Sequence, residues 1–345
     1  MIVDEEMNTD LPAKVPISVL MACYNGARWL EAAINSILNQ SHQDFEFIIV
    51  DDGSTDASAQ IIASFAAKDS RIRVITRPQS GLSASLNAGI KAARGDWVAR
   101  IDADDVSETT RLEKQYAYVC QHASVVFVGS ALRLIDERGR ILSTHVYPSD
   151  SARLENGLRV GKKFPPHSSA FFRRDIALSL GGYRGVLKRA EDHDLWLRLS
   201  EVGRLAALGE PLVQIRIHSN QMSHLEAGRR QLIDAKVAVT SYWLRRAGCG
   251  DPLANSAEMV EFYAWVSDQL QQTQLFEYVD TLRRLKLALS TDGPGRKGMM
   301  VCVRTLASHP GFVFEYLKRA VFSDNSCKHF ASRWAATRRS SSAAR

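Results

Sequence analysis

The stretch GDWVARIDADD, residues 95–105, decides how this chain is read. Trp97 to Ile101 is mostly apolar and predicts a buried strand. Three carboxylates follow within four positions, at Asp102, Asp104 and Asp105. Like charges this close repel one another, and the end of a buried strand does little to dissipate the repulsion. The cluster therefore needs a reason.

The residues before it alternate strand and helix signals. ISVLMA (17–22) and FEFIIV (45–50) are apolar runs, and IRVIT (72–76) predicts a third strand. Between them, NGARWLEAAINSILNQ (25–40), ASAQIIASFAAK (57–68) and LSASLNAGIKAAR (82–94) carry apolar residues at helical spacing. Asn25 is placed to cap the first of these helices, and Ser54, Thr55 or Asp56 the second. Alternation at this pitch predicts βαβ units and a mainly parallel sheet.

In such open sheets ligands bind beyond the carboxyl ends of the strands. The first strand delivers CYNG, the second DDGSTD and the fourth DADD. One edge thus gathers an aromatic residue, an asparagine and at least five carboxylates. A divalent cation makes that gathering tolerable. Asp-x-Asp puts two carboxylates on the same side of an extended segment, and Mg²⁺ and Mn²⁺ favour carboxylate and phosphate oxygens. No G-x-G-x-x-G and no Walker lysine follow the first strand, so the metal would have to hold a diphosphate itself. Asp105 is divided between this role and capping the next turn.

Beyond residue 110 the pattern changes. ETTRLEKQYAYVCQH (108–122) predicts a helix, and SVVFVGSALRLI and RILSTHVY predict a hairpin around DERGR. SSAFFRR (168–174) predicts a strand leading into a short helix. EDHDLWLRLSEVG (191–203) predicts a helix with apolar residues around most of its circumference, hence buried. RLAAL and PLVQIRI predict two short final strands. From about 224 the chain reads as helices, with an amphipathic, basic segment at 299–322 and a Ser/Ala-rich basic tail at 333–345 that predicts disorder.

At this point the motifs, in their order, carry a resemblance. The residues are YN after the first strand, then DDGSTD, DADD, HSSAFFRR, GGY and EDHDLWLRL. Residues 15–223 resemble the inverting family-2 glycosyltransferases of the GT-A fold. The resemblance implies transfer of a sugar from a nucleotide-diphosphate donor, UDP by preference, to an acceptor hydroxyl with inversion, aided by Mg²⁺ or Mn²⁺. It implies that Tyr24 stacks on the base, that Asp52 accepts a base N–H, and that Asn87 lies near the donor. Asp51 is the less certain neighbour. Ala22 stands where the family often has Pro or Thr. Asp104 is implied as the direct metal ligand, with Asp102 on the ribose or a metal-bound water. Asp192 is implied as the general base, with Glu191 beside it, while Asp194 and Arg198 read as structural. His167 and His218 fall in family positions near the site, His218 as a metal or phosphate contact, though each is open to a structural role. Arg216 is open between aiding the diphosphate and a surface position.

Composition bounds the rest. The chain has 345 residues, 45% of them hydrophobic and 24% charged, which is ordinary for a globular protein. Five scattered cysteines without a CxxC pair suggest neither zinc nor a disulfide framework and fit a reducing cytoplasm. No apolar run is long enough to span a bilayer. Residues 1–14 are acidic without an apolar core and read as a loose tail rather than a signal peptide. From residue 226 onward there are 18 Lys and Arg against 11 Asp and Glu, a balance of +7 that leaves −1 for the remainder. A basic helical extension (224–332) on a neutral domain suggests a negatively charged partner, with membrane lipid headgroups and nucleic acid both candidates, and the resemblance implies a glycan or lipid-linked acceptor and an anionic membrane surface. A metal-dependent nucleotidyltransferase is the rival enzyme, but it needs a Gly-rich phosphate loop early in the chain. A nucleic-acid-binding protein is the rival of another class, but no base-stacking aromatics interleave the basic residues.

Overall fold

A computed structural model describes residues 15–160, 164–218, 228–272 and 324–343. Four parallel strands form the first half of the sheet: β1 (Ile17–Cys23), β2 (Phe45–Asp51), β3 (Ile72–Thr76) and β4 (Trp97–Asp102). Their order is β3-β2-β1-β4. The crossovers are α1 (Ala27–Leu38), α2 (Ser58–Ala66) and α3 (Leu82–Ala92). The strands are apolar on both faces because helices cover both. Val19, Met21, Phe47, Ile49 and Ile101 face α1 and α4 (Arg111–Gln121), while Leu20, Ile48, Val50 and Val98 face α3 and the later helices.

The second half is mixed. β4 continues through β8 (Phe171–Arg173), β6 (Val125–Ile135), β9 (Arg204–Arg216) and β5 (Val106–Ser107), with β7 (Ile141–His145) paired to β6. β8 runs antiparallel to both β4 and β6, and β9 runs parallel to β6. The expected hairpin is β6–β7. The two short strands expected at RLAAL and PLVQIRI are one strand, β9. The pairing register shifts beside Ala131, opposite Pro211, and this absorbs the proline that reads as a break. Neither β5 nor α5 (Ser151–Arg159) is signalled by hydrophobic period. A short α6 (Arg174–Ser179) and then α7 (Glu191–Ser200) follow β8. In α7, Leu195, Trp196, Leu197 and Leu199 are all buried, as their spacing predicts.

Two long helices, α8 (Gly228–Arg246) and α9 (Ser256–Gln271), pack on the α7 side, joined by α10 (Asp324–Ala343). They share one core with the sheet: Val237, Ala238, Phe262 and Trp334 belong to the same buried cluster as Leu20 and Trp196. The disorder expected at 333–345 is corrected over 333–343. Cys327, Phe330, Ala331 and Trp334 form a stripe that docks on α8 and α9, with Trp334 5.1 Å from the Phe262 ring and 5.2 Å from Trp265. The amphipathic segment 299–322 lies outside the described residues. No helix among the described residues is long and apolar enough to cross a membrane.

Candidate active site

The carboxyl ends of β1, β2 and β4 meet at one edge of the sheet. After β1 the backbone turns sharply, with Asn25 in the left-handed region (φ 51°), a conformation asparagine tolerates. Asn25 does not cap α1. Its Oδ1 accepts from the main-chain N–H groups of Thr55 and Asp56, at 2.8 and 3.3 Å. The first turn of α1 is served from the same loop, where Asp56 accepts from the Ala27 N–H and Ser58 from the Gly26 N–H. Asp56 also accepts from the Ser58 N–H at the start of α2, the role expected for that loop. The YNG and DGSTD loops are thus laced together, and Tyr24 is left 46% exposed at the edge, its ring open to a ligand.

Asp52 is buried beneath this edge. Its carboxylate accepts from the Ser80 N–H and hydroxyl, the Gly81 N–H and the Ser85 hydroxyl, at 2.7–3.0 Å. Burial pushes the carboxyl up, but these donors outweigh it and hold it below the ordinary range. Asp52 therefore organises the turn into α3. Asp51 accepts from the Ser54 N–H. Asn87 is committed to the protein: its amide donates to the Tyr183 carbonyl and accepts from the Tyr183 N–H, both at 2.8 Å. Gly182 has φ +67°, and a Cβ there would lie 2.3 Å from Asn87 Oδ1. Asn87 thus serves the site by fixing the GGY turn.

The three aspartates of DADD come together. One carboxylate oxygen from each of Asp102, Asp104 and Asp105 lies within 4.8 Å of the others. The buried Arg100 guanidinium grips Asp102 with two hydrogen bonds and donates to Ser168 Oγ. Ser168 Oγ is 2.8 Å from Asp102 and 2.5 Å from Asp105. Asp105 also accepts from the Arg216 N–H at 2.9 Å. His218 Nε2 lies 2.8 Å from Asp104 Oδ2. Burial, then the charge of neighbouring aspartates, pushes the Asp104 carboxyl up and the Asp105 carboxyl far up. Arg216 is neither at the surface nor aimed outward. It is buried, with Nε on the Asp104 carbonyl and Nη1 on the carbonyls of Asp136 and Glu137.

Opposite this cluster, α7 begins with the other carboxylates. Glu191 is buried and its Oε2 has no hydrogen-bond partner among the described residues. Burial first, then the Asp192 charge, pushes its carboxyl up to about 8. Burial also pushes Asp192 up, against the His193 N–H that its Oδ1 accepts. Asp102 and Arg100 both act electrostatically on this pair, Asp102 raising and Arg100 lowering its carboxyls. Asp194 instead forms a buried ion pair with Arg198 at 2.6 Å, and Arg198 anchors the carbonyls of Leu180 and Gly182. His167 lies beneath, its Nε2 2.8 Å from the Tyr183 hydroxyl. Burial, helped by Arg100, holds its imidazole far below the ordinary range, so it is neutral.

Sequence reasoning missed Arg100 and Ser168 as partners of the cluster and left Asp105 divided. A signal for Arg100 existed, since it is the one charge inside an otherwise apolar strand. Ser168 lies inside the HSSAFFRR motif, but its pairing with Asp102 spans 66 residues and has no local signal.

Residues 18–181 match the sequence pattern described as Glycosyl transferase family 2. An O-antigen biosynthesis glycosyltransferase, WbnJ of Escherichia coli, is 35% identical over 59% of this chain and 80% of that protein. A putative glycosyltransferase of Bacillus subtilis, EpsE, is 38% identical over 59% and 74%. The chain belongs to glycosyltransferase family 2. Solved structures extend the likeness to the glycosyltransferase's fold. S. aureus TarS 1–349 in complex with UDP-GlcNAc superposes with a TM-score of 0.57 at 16% identity, covering 92% of this chain and 91% of that one. A mannosyltransferase from Pyrobaculum calidifontis, solved with GDP-Man and Mn²⁺, gives 0.51 at 16% identity, with 92% and 88% covered. The fold is the GT-A type, and the mixed half of the sheet is part of it.

Proposed function

We propose that this glycosyltransferase moves a sugar from a nucleotide-diphosphate donor to an acceptor hydroxyl with inversion, in assembly of a surface polysaccharide or glycolipid. The observation that carries the reading is the junction of two unlike acidic groups. The Asp102–Asp104–Asp105 cluster lies near enough to the Glu191–Asp192 pair for the Asp102 charge to help push up both carboxyls of the pair. The naming of a relative for O-antigen biosynthesis supports the polysaccharide setting. The neighbours solved with UDP-GlcNAc and with GDP-Man and Mn²⁺ support the donor class.

The donor set of the cluster fits a hard divalent cation. It offers carboxylate oxygens only, and Asp102 helps to push up the carboxyls of Asp104 and Asp105, a repulsion that a cation relieves. Asp104 would hold the cation with Asp102, and His218 adjoins Asp104 on the outer side. Bound there, Mg²⁺ or Mn²⁺ supplies Lewis-acid charge for the departing diphosphate. Tyr24 presents its ring for the nucleobase, and Asp52 keeps the turn into α3 in place beneath it.

Asp192 takes the proton from the acceptor hydroxyl as that oxygen attacks the anomeric carbon from the face opposite the diphosphate. A carboxyl raised by burial is a stronger base than a solvated one. Glu191, its carboxyl pushed up to about 8, holds its own proton at neutral pH. One displacement then inverts the centre.

The extension from α8 onward is basic, and an anionic membrane surface is the partner this suggests. Much of that charge lies outside the described residues.

Thermal shift with UDP- and GDP-sugars, with and without Mn²⁺, tests the reading. A donor at a hundred times its Kd stabilises by about 2.7 kcal/mol. Stabilisation that needs Mn²⁺, with slow release of the nucleoside diphosphate, is the expected result. No stabilisation by any nucleotide-sugar and no diphosphate release would overturn it.

A further inference from the structure

The residues that close over the aspartates come from the end of β9, and one side chain of α1 lies against all of them. Trp29, half-buried in the first turn of α1, has its ring centroid 4.3 Å from that of His218, tilted by 38°. The Arg216 guanidinium lies 5.7 Å from the same ring and the Arg28 guanidinium 4.4 Å from it. Arg28 is in turn paired with Glu137, at the turn of the β6–β7 hairpin. The indole thus sits within a ring of cationic and aromatic groups at the rim of the site, an arrangement its electron-rich face favours.

The Arg216–His218 arm makes three contacts with the DADD loop. The Arg216 N–H bonds Asp105, the Arg216 Nε bonds the Asp104 carbonyl, and His218 Nε2 meets the Asp104 carboxylate. The Ile217 N–H, bonded to the Ile135 carbonyl, ties the arm back to β6. The Nε2 contact holds one end of the imidazole, and the Trp29 indole packs against its ring, 4.3 Å between centroids. We propose that Trp29 is a positioning residue: the indole is the seat on which the β9 arm rests, and it sets the plane of His218 and hence the aim of the Asp104 carboxylate. Nothing in the chemistry requires Trp29 to touch the donor. Its contribution passes through His218 and Asp104, as supporting contacts do at metal sites. The inference rests on the reading of Asp104 as a cation ligand, and its test separates the two.

The test compares Trp29→Leu and Trp29→Phe in the full chain. Histidine is ¹³C-labelled, and His218→Gln identifies the His218 signal among the nine histidines. In the native protein the His218 ring protons are expected upfield, shifted by the indole beneath them. Trp29→Phe should leave a smaller upfield shift and Trp29→Leu none. In transfer assays Trp29→Leu should raise the Mn²⁺ concentration for half-activity by about tenfold, the effect typical of a lost supporting contact. Trp29→Phe should restore most of that loss, and the melting temperature of the phenylalanine variant should stay near the native value. A His218 signal that does not move in Trp29→Leu overturns the proposal. So does a signal that moves while the Mn²⁺ requirement and donor KM stay within twofold of native. If the native chain transfers no sugar from any donor, the reading of the site has failed. The graded proton shift then still decides whether Trp29 seats His218.

Discussion

Ser168 Oγ lies 2.5 Å from the Asp105 carboxylate, at the bottom of the aspartate cluster. The same hydroxyl is 2.8 Å from Asp102 and accepts from Arg100 Nη1 at 3.0 Å. A hydroxyl has one proton to donate, and two acidic groups reach for it. Burial and the charges of Asp102 and Asp104 push the Asp105 carboxyl far above its ordinary range. Ser168→Ala should therefore leave Asp105 buried with one partner fewer. We expect a loss of about 1–3 kcal/mol in denaturant unfolding, the cost of an unsatisfied buried polar group. A stability within 0.5 kcal/mol of native, roughly the effect of an ordinary surface change, would show that the cluster does not depend on the bridge.

Glu191 gives a stability that depends on pH. Its folded carboxyl is raised from 4.5 to about 8, so between those values the folded chain holds a proton that the unfolded chain has released. Stability from this group is complete below about pH 4.5 and falls as pH rises towards 8. The ceiling of the effect is roughly 5 kcal/mol, at ~1.4 kcal/mol per pH unit. Asp192, raised beside it, shares that total, so about 1–3 kcal/mol is the realistic range. Glu191→Gln keeps the shape and removes the titration. Its stability relative to native should thus rise between pH 5 and pH 8.5, read from urea midpoints at the two values. A constant difference across that range would place the titration elsewhere.

Gly182 allows a prediction about shape alone. Its φ of +67° is one that side chains other than glycine rarely adopt, and a Cβ would stand 2.3 Å from Asn87 Oδ1. Gly182→Ala should cost about 1–3 kcal/mol from backbone strain. It should also break the paired bonds between Asn87 and Tyr183, and so loosen the Tyr183 hydroxyl from His167. Asn87→Ala, which removes the obstructing amide, should make the added methyl less costly. Costs that simply add in the double variant would show no coupling between the two positions.

The first half of the sheet was legible because its strands are unbroken apolar runs, each ending in a polar loop. Covered on both faces, such strands need no alternation, and residues 17–22, 45–50, 72–76 and 97–101 all read correctly. The second half was harder for identifiable reasons. Gly209 to Pro211 reads as a break, but β9 crosses it because a register shift against β6 accommodates the proline. The tail after residue 333 has the composition of a disordered segment. Its order comes from Phe330 and Trp334, four residues apart, which α9 buries. Asn25 has the right identity and place for a cap but turns left-handed and serves the neighbouring loop instead. The acidic residues of the site were visible as a list. Their partners Arg100, Ser168 and Trp29 depend on which strands become neighbours, and local sequence does not encode that.

Asp104 and Asp192 can be told apart by what each substitution leaves intact. Asp104 faces His218 and the other two aspartates, and the proposed function assigns it to holding the cation and through it the donor diphosphate. Asp104→Asn should weaken donor binding measured by calorimetry with Mn²⁺ and lower turnover as well. Asp192 sits at the first turn of α7 beside Glu191, and the proposed function confines it to the acceptor's proton. Asp192→Asn keeps the size and removes the basic oxygen. Positioned proton transfer contributes about 10²–10⁴-fold, so kcat should fall by that order. Donor affinity should barely change, because an interaction made only in the transition state lowers kcat without touching ground-state binding. Normal turnover in Asp192→Asn would move the base to Glu191, whose Oε2 has no partner among the described residues and which is the next candidate. Donor binding lost as completely as in Asp104→Asn would put Asp192 in the donor site. The two acidic groups would then act as one, and the division of labour argued for them would not hold.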